Sequence, residues 1–180
     1  MLDESFFNEY ISYWKTLAVV ASGVPARGDF KPSHFPHLLP NFYILERQGG
    51  IKSSVRLTGT ALDATSCFQY RPSDIFSRFK EKDWLLYNIY MDALFEYKCG
   101  AYGVRHYELA NGLGFNACSV TFPFTGSAPA HRYVIGLMLV ESKHQASLPE
   151  ALPLDTRSKV TEFTYLDSGF GVPPKSDSVV

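Results

Sequence analysis

Histidines, cysteines, tyrosines and a few strand-borne charges are the residues through which this chain could ligate, transfer or donate. The three cysteines, Cys67, Cys99 and Cys118, are odd in number, far apart and without a C-x-x-C pair. That spacing reads as reduced, buried thiols, not a disulfide framework or a zinc site. Of the five histidines, His34 and His37 share a short loop with no cysteine or second acidic ligand beside them, so they read as solvated loop residues. The signatures of hydrolases, phosphate-binding loops and zinc proteases are missing. Gly112-Leu113-Gly114 is too short for a dinucleotide fingerprint and follows a turn instead of opening a helix. Asp63 with Asp74, or Glu96 with Glu108, would make carboxylate pairs, but nothing in the sequence brings them together. A pocket lined by strand residues fits better. Strand alternation puts Asn116, Cys118, Val120 and Phe122 on one face, and Arg105, Tyr107 and Leu109 on one face of the preceding strand. Arg56 adds five hydrogen-bond donors suited to a carboxylate ligand, or to an ion pair at a strand edge. The candidate ligand set is therefore Arg56, Tyr107, Cys118, Val120 and Phe122; the competing reading is a filled hydrophobic core.

The chain around these residues is 180 long, with 46% hydrophobic and 19% charged residues, the composition of a folded globular protein. Seventeen basic against eighteen acidic side chains leave a net charge of -1, which removes the electrostatic case for nucleic acid or an anionic membrane. Aromatic residues reach 15%, a density that suits a bulky core, an interface or a pocket for a flat ligand. Met1-Leu2-Asp3-Glu4 is acidic where a signal peptide is basic, and no run approaches the roughly 18 apolar residues of a membrane span. The expectation is a cytoplasmic protein with no membrane insertion.

Periodicity supplies the elements. Phe6, Tyr10, Trp14 and Leu17 recur at helical spacing and predict an amphipathic helix over 4–21, ended by Gly23 and Pro25. The four aromatics of its apolar face, Phe6, Phe7, Tyr10 and Trp14, either pack on the same domain or pair with a second copy. Four prolines make 25–41 a loop. Strands are expected at 42–47 and 51–57, short helical turns over 60–82 and a second helix from Asp83 to Gly100. Three more strands follow at 102–109, 115–124 and 132–142, the first two joined by a tight turn at Asn111-Gly112. The fold class is α+β with a five-stranded, mostly antiparallel sheet. The chain divides into an N-terminal helix (1–24), a core (25–143) and an irregular polar tail (144–180), in which Val160 to Leu166 is a possible short strand.

The element order resembles that of a PAS domain, and particular residues sharpen the likeness. Tyr13-Trp14, the run Pro25-Ala26-Arg27-Gly28-Asp29-Phe30-Lys31-Pro32, Leu39-Pro40 before a strand, Arg56-Leu57-Thr58-Gly59-Thr60 and Phe122-Pro123-Phe124 resemble, in that order, a family of bacterial single-domain PAS proteins. The resemblance spans about residues 13 to 140 and implies a PAS-like sensory or interaction module with a ligand cavity, without implying a particular ligand. After Gly59-Thr60 the family continues with glycines, whereas this chain carries bulky residues from Asp63 to Arg71. In PAS folds that segment abuts the cavity, so the pocket is expected to be smaller or reshaped.

Two cofactor chemistries of the superfamily find little support. Flavin photosensors carry a Gly-Arg-Asn-Cys-Arg-Phe-Leu-Gln signature, of which Cys67 alone remains, and haem-binding members commonly place a histidine on the long helix, where residues 83–98 have none. No cofactor is identified. The sequence thus predicts a non-catalytic signalling PAS protein that binds a small molecule or a protein partner and passes its signal to an unidentified signalling protein by contact. A homodimer is expected through Phe6, Tyr10, Trp14 and Leu17. The alternative is a small cone-shaped α+β enzyme or lipid carrier acting on an apolar substrate, with His106, Glu108 and Asp63 as its acid–base groups.

Overall fold

A computed structural model describes residues 5–48, 53–64, 81–109, 112, 114–128, 130–141 and 157–174. Cys67, Asn111 and most of the segment expected to form short helical turns lie outside the described residues. Among those described, helix α1 (Ser5–Ala21) leads through three one-turn 3-10 helices, Arg27–Asp29, Pro32–His34 and Leu39–Asn41, into strand β1 (Phe42–Gln48). There follow β2 (Ser53–Thr58), the five-residue helix α2 (Thr60–Ala64), α3 (Glu81–Glu96), β3 (Gly100–Glu108), β4 (Gly114–Thr125), β5 (His131–Glu141) and β6 (Arg157–Leu166). The sheet is antiparallel throughout, in the order β2-β1-β5-β4-β3-β6.

Six strands replace the five expected, because the tail contributes β6 beside β3 over Gly100↔Leu166 to Glu108↔Arg157. A bulge at Val104/Arg105 places Val160 opposite Arg105 and Phe163 opposite Gly103, on one face though three residues apart. A bulge breaks the period of two by which a half-buried strand is read from sequence, and β6 is polar on its other face.

Both long helices end in the same way. Ser22 after α1 and Lys98 after α3 take positive φ (52° and 51°). The next amide then reaches back over the last turn, Gly23 N–H to the Ala18 carbonyl (3.0 Å) and Cys99 N–H to that of Leu94 (3.2 Å). The expected stops at Gly23 and Gly100 are therefore close, but a non-glycine residue adopts the left-handed conformation in each case.

The helices lie on opposite faces of the sheet. On one face α1 buries Phe7, Tyr10, Trp14 and Ala18 against Phe42, Ile44, Val120, Phe122, Phe124, Ile135 and Leu137. The Tyr13-Trp14 pair fastens this face: the Trp14 indole N–H donates to the Pro123 carbonyl (3.1 Å) and its ring stacks on Phe122 at 4.6 Å. Pro123 lies beyond the last β3 pair, Ala101↔Thr121, so its missing N–H leaves no ladder bond unmade there and its carbonyl is open to the indole. Tyr13 holds the proline-rich loop, donating to the Asp29 carbonyl (3.0 Å) and accepting from the Lys31 amide (2.9 Å). The Asp29 carboxylate takes the Ala26 amide (3.2 Å), and Pro25 and Ala26 run beside Thr125. Gly59 completes the set: a Cβ there would lie 2.3 Å from the Pro40 carbonyl oxygen, so only glycine lets the Leu39–Asn41 turn close. The opposite face carries α3, which buries Met91 and Leu94 against Ala101 and Val134.

Candidate ligand-binding cavity

The α3 face is not filled. A cavity of about 390 Å³ lies between the sheet, α3 and β6. Its lining includes Tyr43 on β1, Tyr87 and Tyr90 on α3, Arg105 and Tyr107 on β3, Ala117, Ser119 and Thr121 on β4, Met138 on β5, and Ser158, Val160 and Phe163 on β6. In a strand pair, directly opposed side chains share a face. Thr121 faces Ala101 and Gly136, Ala117 faces Arg105, and Ser119 faces Gly103 and Met138, so one stripe across β5, β4 and β3 forms the floor.

One missing side chain shapes that floor. Tyr43 is paired with Gly136, and a Cβ at Gly136 would lie 2.1 Å from the tyrosine Cζ. The phenol therefore lies flat across β5 and reaches the hydroxyls of Thr121 and Ser119 on β4. From the helix side the Tyr90 hydroxyl donates to Thr121 Oγ1 at 2.7 Å. Tyr107 stacks on Phe115 at 4.8 Å and closes one end. Burial pushes the Tyr43 phenol up to about 12, tempered by its bonds to Thr121 and Ser119, and burial also raises Tyr87 and Tyr90. These three tyrosines stay neutral at physiological pH and act as hydroxyl donors and acceptors. Arg105, partly exposed on the β6 side, bonds Ser158 Oγ at 3.1 Å and brings the one formal charge among the described lining residues.

The candidates chosen from sequence are split between the two faces. Tyr107 lines the cavity. Cys118, Val120 and Phe122 are fully buried under α1, on the other side of the sheet. A tight two-residue turn at Asn111-Gly112 would have set Tyr107 opposite Asn116, on the face of those three residues. The strands instead pair up to Glu108↔Gly114 and put Tyr107 opposite Phe115. That one-residue change of register exchanges the faces of β4. Arg56 is an ion-pair residue: from the bulged position of β2 it contacts the carboxylate of Glu46, which is 3% exposed and also accepts from the Tyr133 hydroxyl at 2.6 Å. Arg27 lies over the Tyr133 ring at 5.1 Å, tying the proline-rich loop to this group.

The residues expected at a dimer interface belong to the domain's own core and its rim. Tyr10 and Trp14 have no exposed surface within their own domain, where Tyr10 donates to the Ile135 carbonyl (2.9 Å) and meets Phe30, Phe35, Phe42 and Phe122 edge to face. Phe6 and Leu17 pack on the rim of the same core. Aromatic density on α1 is thus answered by aromatic density on the sheet, and no second copy is needed to cover it. His106, Glu108 and Asp63 also lie away from the cavity. His106 bonds Asn116 (2.8 Å), Glu108 is exposed, and Asp63 accepts from Thr58 at the start of α2. His37 pairs with Glu9 (3.1 Å) and His34 packs on Tyr13, and among the described residues no three acidic, histidine or cysteine side chains come together as metal ligands.

Tyr43, Tyr90, Ser119 and Thr121 escaped the sequence reading. Their signal was the hydroxyl pair Ser119 and Thr121 in an otherwise apolar strand, alternating with Cys118, Val120 and Phe122. A family described as PAS domain matches residues 3–102, more than half of the chain, and the chain belongs to that family. No curated protein is matched. The family match ends at the start of β3, so most of the cavity floor and all of the β6 wall lie beyond it. Among the described residues no helix is long and apolar enough to cross a membrane.

Proposed function

We propose that this PAS domain is a non-catalytic sensor whose tyrosine-lined cavity takes a small molecule, and that occupancy is relayed by contact with another protein. The observation that carries the reading is the contrast in filling. The sheet face under α1 is packed with rings, whereas the face under α3 keeps about 390 Å³ open, with hydroxyls converging on it. A pocket of a few hundred Å³ with an apolar wall and a few placed polar groups is the usual form of a small-molecule site. Movement at this site has a route outward: α3 and β6 both border the cavity, and β6 is a sheet edge.

The enzyme or carrier reading requires an acid–base pair in the cavity, and His106, Glu108 and Asp63 do not line it. Neutral tyrosines and one guanidinium favour binding over proton transfer near pH 7. A native mass spectrum of the full chain, followed by a thermal-shift screen against fractions of a cell extract, tests the sensor reading. A stoichiometric added mass released on denaturation, or a fraction that raises the melting temperature of the unmodified protein but not of Ala117→Phe, supports it. A bare chain that no fraction stabilises overturns it.

A further inference from the structure

The chemistry of the cavity wall is one-sided, and this restricts what can occupy it. Ser119, Thr121 and the phenols of Tyr43 and Tyr90 can donate or accept hydrogen bonds, while Arg105 can only donate. No carboxylate is among the described lining residues. Among the described residues, the acidic groups of neighbouring elements are engaged or face elsewhere. Asp92 on α3 holds Arg47 (2.8 Å) and Arg132 (3.2 Å), Glu162 is opposite Val104 on the α1 side, and Arg105 has Ser158 as its hydrogen-bond partner. A guanidinium on the rim of a neutral pocket, with its five donors barely used, matches a planar anion that accepts two parallel hydrogen bonds. Much of the remaining described wall is aromatic rings and Met138, with Val160 and small residues between them, which suits the faces and edges of a flat ring.

On the reading that this cavity binds a ligand, we infer that the ligand is a small aromatic monocarboxylate, its ring among the tyrosines of β1 and α3 and its carboxylate on Arg105 beside β6. About 390 Å³ lies at the low end of the range for small-molecule pockets and suits one or two rings. The anchor lies on β3 against β6, so the acid group would also draw on Ser158 and fix the edge strand.

The test uses matched probes on the full chain: phenylacetate against phenylacetamide, and indole-3-acetate against indole-3-acetamide, by titration calorimetry. The acid of at least one pair is expected to bind ten-fold or more tightly than its amide, about 1.4 kcal/mol. In Arg105→Gln that ratio should fall to within about two-fold while the thermal midpoint stays close to that of the unmodified protein. In Arg105→Lys, which keeps the charge but not the planar fork, it should be intermediate. Equal binding of acid and amide, a preference that survives Arg105→Gln, or failure of every probe to bind each overturns the assignment of ligand class. The sensor reading is judged separately by the native mass spectrum, because a resident ligand of another class leaves it standing.

Discussion

The two faces of this sheet are made from the same strands and use the same local device, yet they differ in what they keep out. On the α1 face the Phe122 ring of β4 lies over Gly100 of β3, where a Cβ would lie 2.1 Å from the phenyl ring. On the α3 face Tyr43 of β1 is paired with Gly136 of β5, again with 2.1 Å to the place of a Cβ. Both glycines let an aromatic ring lie flat over a neighbouring strand. Under α1 the ring is then covered by Trp14 and Tyr10, and the layer closes. Under α3 the ring ends in a hydroxyl whose partners are Ser119 and Thr121, and space remains above it. Apolar rings meeting edge to face fill volume, whereas phenols satisfied by hydroxyls leave a polar-studded hollow. The difference separates a face whose rings close the fold from one that keeps open space.

Alkaline pH should erase that distinction, and it is the largest effect expected. Tyr10 under α1 and Tyr43, Tyr87 and Tyr90 under α3 all have phenols raised by burial, Tyr43 to about 12. A raised phenol holds its proton more tightly in the folded state than in the unfolded one. The stability this contributes is complete below pH 10 and is lost as pH rises through the folded-state value, about 12 for Tyr43. The buried thiols of Cys99 and Cys118, also pushed to about 12, add to the same loss from pH 9 upward. Tyrosinate absorbance followed with far-ultraviolet circular dichroism should give one cohort ionising near pH 10 and another appearing only with unfolding. A single ionisation near pH 10 in a folded chain would contradict the burial of both faces.

Next in size is Trp14→Ala. It removes a fully buried indole, its stack on Phe122 and its bond to Pro123, and should reduce stability by about 3–5 kcal/mol in urea titration. The sequence expectation places Trp14 in a homodimer interface. Unfolding, not a stable monomer, is the outcome expected from its place in the core.

The paired glycines give a sharper comparison at smaller magnitude. Gly100→Ala pushes Phe122 into a closed layer and should cost about 1–3 kcal/mol or more, as overpacking does. Gly136→Ala meets only the far end of the Tyr43 side chain, which has the cavity to move into. It should lose much less stability, while the displaced phenol lowers ligand affinity at least ten-fold. Equal destabilisation by the two substitutions would mean that the α3 face is packed as tightly as the other.

The contrast also explains which parts of the molecule were legible beforehand. Tyr13-Trp14, the loop from Pro25 to Pro32 and Phe122-Pro123-Phe124 form one physical assembly on the α1 face, and Leu39-Pro40 closes on Gly59. Such contacts demand particular residues at particular spacings, so they leave a pattern and the fold class follows from it. The cavity leaves almost none. Its floor depends on whether Tyr107 pairs with Phe115 or Asn116, a difference of one residue set by a loop, and its outer wall on a bulged strand whose alternation is broken. Arg56 was ambiguous for a related reason: one guanidinium on a strand suits either an external anion or an ion-pair partner, and only the folded sheet sets it beside Glu46.

The smallest effects test the comparison one hydroxyl at a time. Tyr10→Phe removes a donor to the Ile135 carbonyl in a closed aromatic layer, where nothing can replace it, and should cost about 1–2 kcal/mol. Tyr90→Phe removes the donor to Thr121, but that hydroxyl keeps Tyr43 nearby and borders open space that water or a ligand can enter. Its cost should be about 0.5 kcal/mol or less. If the two substitutions cost the same, Thr121 has no substitute partner and the cavity is dry. If Tyr90→Phe is nearly silent in stability yet weakens binding several-fold, the hydroxyl faces the ligand, and the α3 side of the sheet is the working face of the domain.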